Sequence, residues 1–385
     1  MSSRRRLLIV TEFLGASGSP TGTLASEVVK AVEQRSDIKV FTLCSPFAYR
    51  PGGLKPSRLF NLVALFALTP LFLFWHRLVM LLRGGKVAVL VSTAPPGIQW
   101  AAQFASKLLA VPVIYWFQDA HPETEALISE RKGFPRLARL LRAFEKATMG
   151  LCRSVIVLDE SMRESLVART HCTIPVSVIP PWATYMEPAL AFRPPREDAL
   201  CRVLYAGHYA WHHNLKKMVD CLKLLSDPEQ QKISFTFIGM NASTQDQLRA
   251  LFEELHCPTL FLRRLEHVSD VLKLMTEYDF GLVSLIDEQG GLSCPSKAFT
   301  YLSQGLPILY VGPTRTLSWQ LCQEGWGSTF DQWLKLGRTD TVRALQKRAG
   351  TMFPNPKGKC LQGICEIVES ALEMGPATEP FSVKF

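Results

Sequence analysis

Short apolar runs rich in valine and isoleucine recur along this chain, and between them apolar positions return every three or four residues. The runs predict strands at Leu7–Thr11, Lys39–Cys44, Val87–Ser92, Val113–Phe117, Ser154–Leu158 and Val176–Ile179. The intervening periodicity predicts helices at about 22–34, 59–82, 97–109, 134–151 and 160–169. Continuous apolar strands alternating with amphipathic helices are the pattern of parallel βαβ construction, because such strands are covered by helices on both faces. A proline-rich passage, Pro180-Pro181-Trp182 through Pro194-Pro195, forbids both helix interior and central strand. The alternation then restarts, with strands at Arg202–Ala206, Ile233–Ile238, Thr259–Leu262, Phe280–Leu285 and Ile308–Val311. Helical patterns fall near 213–225, 244–255, 268–276, 296–304 and 316–324, and a last amphipathic helix covers 360–374.

With 385 residues there is room for two such domains. The reading is α/β, two Rossmann-like doubly wound domains facing a central cleft. The first spans 1–182, a linker 183–199, and the second 200–385, the last helix included. Ligands of open α/β sheets bind at the carboxyl ends of the strands, so candidate chemistry is sought there.

Charge separates the halves. Residues 1–200 carry 24 Lys and Arg against 15 Asp and Glu, whereas residues 201–385 carry 19 of each. No carboxylate occurs between Asp37 and Asp119, and inside that interval lies the most hydrophobic stretch, Leu59 to Trp75. At 17 residues, with Asn61, Thr69 and Pro70 within it, the stretch falls short of the ~20 apolar residues of a spanning helix. Arg58, Phe72, Trp75, Arg77 and Arg83 give segment 59–82 the character of a helix lying at an anionic membrane surface. A core helix pair kinked at Pro70 is the alternative. The cations interleave with aliphatic runs and form no polar basic face, which argues against nucleic acid as the partner.

Ten cysteines stand singly, with neither a Cys-x-x-Cys nor zinc-finger spacing, as expected of reduced thiols in the cytoplasm. Met1–Val10 has an apolar run too short for a signal-peptide core and reads as a first strand.

Four segments carry candidate chemistry. Gly15, Gly18 and Gly22 follow the first strand as a ligand-cradling loop would, or as a plain flexible turn. Gln118-Asp119-Ala120-His121-Pro122-Glu123 puts three ionisable groups after a central strand. The second half opens on Tyr205-Ala206-Gly207-His208 and reaches His213; no cysteine or carboxylate lies close to its histidines to complete a metal site. The most informative segment runs Gly290-Gly291-Leu292-Ser293-Cys294-Pro295-Ser296-Lys297, continuing to Gly305-Leu306-Pro307. Ser296 is placed to start a helix, whose open amides together with Lys297 would attract a diphosphate and stabilise charge developing on a departing nucleotide. The chain contains no Asp-x-Asp, a common cation-holding pair in sugar-nucleotide enzymes, so protein cations are the expected stabiliser and no metal or cofactor is called for.

On these residues the chain resembles the GT-B-fold family 4 (group 1) glycosyltransferases, in particular the capsule and exopolysaccharide branch. The resemblance runs through Gln118-Asp119 with Pro122-Glu123, Ile179-Pro180-Pro181-Trp182, Tyr205-Ala206-Gly207 with His213, and Pro295-Ser296-Lys297 followed by Gly305 and Pro307. It implies a retaining, metal-independent transfer of a sugar from a nucleotide-sugar donor to a lipid-linked or polysaccharide acceptor at the cytoplasmic face of the membrane. By the same resemblance, the second domain binds the donor through Gly207, His208, His213, Ser296, Lys297 and Thr300, with Gly22 contributing from the first. Asp119 and Glu123 would face the sugar or acceptor, and Lys297 the diphosphate. Many relatives have glutamate where Thr300 stands, and Gly-Asn-x-Gly where this chain has Gly207-His208-Tyr209-Ala210. Two further readings stand beside this one: a nucleotide-sugar epimerase of the same fold, and a catalytically silent nucleotide-sugar-binding or scaffold member.

Overall fold

In the computed structural model, residues 4–373 are described except 16–19, 36, 46–54, 184–190, 195, 197–199, 208–212, 214 and 263–267. They form two units. The first comprises residues 1–184, 291–293 and 356–385; the second comprises 185–290 and 294–355.

The first unit contains β1 (Arg5–Val10), α1 (Pro20–Glu33), β2 (Ile38–Leu43), α2 (Lys55–Leu82), β3 (Lys86–Ser92), α3 (Ile98–Leu109) and β4 (Val113–Phe117). Then come α4 (Glu123–Arg131), α5 (Pro135–Met149), β5 (Ser154–Val157), α6 (Glu160–Thr170) and β6 (Val176–Val178). The strands make one parallel sheet in the order β2-β1-β3-β4-β5-β6. The order reverses between β1 and β3, which makes their carboxyl ends a topological switch point.

Strand alternation divides the side chains of β4. Ile114 and Trp116 enter a core with Leu7, Ile9, Leu24, Val28 and Ile156, while Tyr115 stacks edge-on against Phe117, on the side of α3 to α5.

The second unit contains β7 (Cys201–Ala206), α7 (Leu215–Leu222), α8 (Asp227–Gln230), β8 (Ile233–Ile238), α9 (Ala242–Phe252), β9 (Thr259–Leu262) and α10 (Val268–Met275). It continues with β10 (Phe280–Ser284), α11 (Lys297–Ser303), β11 (Ile308–Val311), α12 (Leu317–Gln323), β12 (Gly327–Thr329) and α13 (Phe330–Gln346). Its parallel sheet runs β12-β11-β10-β7-β8-β9, with the reversal between β7 and β10. Within the expected linker, Phe192 and Arg196 are held against the second unit. Phe192 is buried edge-on against Trp326, and the Asp279 carboxylate accepts the backbone N–H groups of Arg196 and Arg202, both at 2.8 Å.

The last helix corrects the division read from the sequence. α14 (Lys357–Glu373) belongs to the first unit: Cys360, Ile364, Ile367, Val368 and Leu372 pack into the same core as Trp116 and α1. Ion pairing explains the docking. Arg35 meets Glu369 at 2.7 Å, and Glu27 of α1 accepts from both Lys357 Nζ (2.7 Å) and Trp182 Nε1 (2.5 Å). Trp182 in turn stacks on Trp116.

α2 is one continuous helix through Pro70, which sits on its exposed face where the missing N–H is cheapest. Leu65, Thr69, Leu73, His76 and Met80 follow the helical period and are buried. Thr69 donates to the carbonyl of Leu65, and Arg6 bonds His76 at 2.9 Å, with burial and the adjacent guanidinium lowering that imidazole to about 4. Phe60–Leu82 is long and apolar enough to cross a membrane by length and composition, 23 residues at mean hydropathy 1.8. Its buried stripe packs on β2, β3 and α3, and 22% of that apolar window is buried.

Candidate active site

The second unit gathers the residues of the strongest sequence motif at its switch point. β10 ends at Ser284, and the chain passes through Cys294-Pro295-Ser296 into α11, whose first residue is Lys297. Ser296 has helical dihedrals and its side chain makes no capping hydrogen bond. Because α11 has only seven residues, its aligned peptide dipoles are few, and the full positive charge available here is that of Lys297.

The Lys297 side chain folds back across β7. Its Nζ lies 3.6 Å from the centre of the Tyr205 ring, shut off from solvent and with no hydrogen-bond acceptor among the described residues, although the residue as a whole is only partly buried. The ring face supplies some attraction for the cation but cannot replace water. Burial accordingly lowers the ammonium to about 7.

Tyr205 and its neighbours are held firmly. The Tyr301 hydroxyl accepts the Ala206 N–H at 2.8 Å, and burial pushes that phenol well up. Tyr301 fits because Gly281 of β10 has no side chain; a Cβ there would stand 2.3 Å from the ring. Gly207 adopts φ +119°, a conformation that L side chains rarely take, and its N–H donates to Ile238. His213 is buried edge-on against Tyr205, with Nδ1 2.9 Å from the Ser284 carbonyl. Because a carbonyl only accepts, Nδ1 is the protonated nitrogen in that bond. Thr300 is half-buried one turn into α11. His208 lies outside the described residues, as do Gly18 and the side chain of Arg58.

In the first unit, the loop after β4 separates the two expected carboxylates. Asp119 is exposed, its backbone N–H donates to Thr93 Oγ1, and it forms a bridge with Ser293. Ala120 N–H likewise donates to the Leu292 carbonyl at 2.8 Å. Glu123 is buried instead, gripped by Arg142 at 2.8 and 2.9 Å with Arg169 at 3.9 Å. Sequence reasoning placed Glu123 toward substrate; its carboxylate faces two guanidinium groups and ties α4 to α5 and α6. A second pair was not read from the sequence, although its i,i+4 spacing was visible: His121 Nδ1 lies 2.5 Å from Glu125 Oε1. Gly22 is also explained by packing, since a Cβ would meet the Gly15 carbonyl at 2.9 Å. Among the described residues no group of three or more metal-ligating side chains occurs.

The chain matches no protein-family model and no curated protein sequence. Solved structures do match. The lipopolysaccharide outer core galactosyltransferase WaaB superposes with a TM-score of 0.56 at 15% identity, covering 96% of this chain and 94% of that one. WaaG, a glycosyltransferase involved in lipopolysaccharide biosynthesis, gives 0.56 at 13% identity, covering 94% and 99%. A UDP-N-acetylglucosamine 2-epimerase from Listeria monocytogenes, described as putative, gives 0.55 at 12% identity over 100% of both chains. The fold is therefore α/β of the GT-B class, two six-stranded parallel sheets with flanking helices.

Proposed function

We propose that this protein is a retaining, metal-independent glycosyltransferase that moves a sugar from a nucleotide-sugar donor to a lipid-linked or polysaccharide acceptor. One observation carries the reading: Lys297 Nζ, a buried ammonium without an acceptor among the described residues, lies over Tyr205 at the switch point of the second sheet, where β7 runs on to the left-handed Gly207. A cation kept in that state has a strong demand for an anion, and a diphosphate satisfies it. As the bond to the sugar breaks, charge grows on the diphosphate, and Lys297 is the group that stabilises it. Metal independence rests on the sequence, which lacks Asp-x-Asp.

In this reading Asp119 and the His121–Glu125 pair face the sugar or acceptor from the first unit, while Glu123 holds their loop through Arg142. The exposed apolar face of α2, with Phe74 and Trp75, brings the protein to the inner face of the cytoplasmic membrane, where lipid-linked acceptors reside. It works there as a peripheral protein.

The test offers purified protein and membrane extract a panel of nucleotide sugars. One donor should release its nucleotide, the product should keep the anomeric configuration by NMR, chelator should not inhibit, and Lys297→Ala should abolish release. A donor bound but never consumed would favour the silent member that Thr300 keeps in view. The likeness to an epimerase structure is the observation behind a second reading. Interconversion of donor sugars without any acceptor would establish it in place of transfer.

A further inference from the structure

Exposed apolar side chains continue beyond α2 onto two helices of the first unit whose sequence gave no such signal. α3 ends beside α2, where Arg77 Nε donates to the Leu109 carbonyl at 3.2 Å, and Leu108 next to that carbonyl is 87% exposed. Phe104, one turn back on α3 and 45% exposed, stands 5.8 Å from Phe144 of α5. From Phe144 an apolar stripe runs back along α5 through Leu140 and Leu137 to Phe134, and these three are 64%, 46% and 60% exposed. Positions 134, 137, 140 and 144 share one helical face. Side chains of this size so exposed on three adjoining helices form a patch that calls for a partner.

The charges identify it. Lys107, Lys132, Arg136, Arg139 and Lys146 are exposed on these helices and their margins. The nearby acids are occupied: Glu130 by Arg142, and Glu145, buried within α5, by Arg169. An apolar stripe edged by cations matches an anionic bilayer, with acyl chains for the leucines and headgroups for the arginines. A second copy of this chain matches poorly, since a two-fold interface would set each copy's cations against their equivalents.

We propose that α2, the end of α3 and α5 form one continuous lipid-facing platform, with α5 a second membrane-seated helix docking on anionic lipid. The proposal rests on the reading that α2 meets the membrane.

Flotation of the full-length protein with vesicles of phosphatidylcholine, with or without about one third phosphatidylglycerol, tests both. Leu137→Glu with Leu140→Glu on α5 should weaken binding by about tenfold or more, as should Leu71→Glu with Phe74→Glu on α2. Arg136→Gln with Arg139→Gln should lose affinity only on the anionic vesicles. All are exposed positions, and an unchanged melting curve would establish that each variant is folded. If the α5 pair floats like wild type while the α2 pair does not, the platform is overturned and the reading of α2 survives. If wild type binds neither vesicle, both fall. A wild-type dimer that the α5 substitutions dissociate, with no vesicle binding, would assign the patch to self-association.

Discussion

At the scale of single residues, Lys297 sets the expected pH dependence of the candidate site. Its ammonium is lowered to about 7 by burial, and a bound diphosphate would raise it. Binding therefore takes up a proton wherever the free lysine is neutral. Affinity for a nucleotide sugar should be flat below about pH 7 and fall as pH rises above it. Calorimetry in two buffers of different ionisation enthalpy should show proton uptake near pH 8, absent in Lys297→Met. The sugar nucleotide is the right probe because its diester diphosphate does not titrate in this range. Gly281→Ala provides a second measurement: the added methyl would displace Tyr301, costing ~1–3 kcal/mol in denaturant unfolding and freeing the Ala206 N–H from its partner. The Pro295-Ser296-Lys297 motif was legible in the sequence. The enclosure of the ammonium against Tyr205 was not, because it depends on three elements that meet only through the pairing of β7 with β10. The pairing of Glu123 was hidden for a related reason: a carboxylate after a strand looks available until Arg142, 19 residues away, reaches it.

At the scale of elements, periodicity served for most of the longer strands and helices, but α13, 17 residues long, was not read from the sequence. β12 has three residues, too few to show a period. α4, with the sequence ETEALISER, buries only Glu123 and Ala126, so its apolar face is hardly written in its residues. α14 was visible as a helix, but its destination was not, since a helical stripe does not state which sheet it covers. The ion pairs with Arg35 and Glu27 supply that address. Ile364→Ala should destabilise the first unit by ~2–5 kcal/mol, with a lesser effect on the second. Hydrogen exchange resolved by segment checks this, and equal loss across both units would contradict the assignment of α14 to the first.

At the scale of the whole molecule, the excess positive charge belongs entirely to the first 200 residues, as does the exposed apolar surface of α2, α3 and α5. Attraction of exposed cations to lipid headgroups is screened within a Debye length of ~8 Å at physiological salt. Flotation on anionic vesicles should therefore weaken as salt rises, while residual binding to neutral vesicles should hold, because burial of leucine and phenylalanine does not depend on ionic strength. A salt-independent interaction would mean the arginines take no part.

The return of α14 to the first unit also bears on how the chain comes into being. A ribosome delivers β1 through β6 early, yet the core around Trp116 and Val28 gains its covering helix only after everything through Asn355 has been made. Throughout that interval the face of the nascent sheet that α14 will share with α1 is only partly covered, and its apolar residues would be a client surface for a chaperone. Closure of that face by α14 follows completion of the second unit. Chimeras that exchange the two halves should accordingly take residues 356–373 from the same parent as the amino-terminal half.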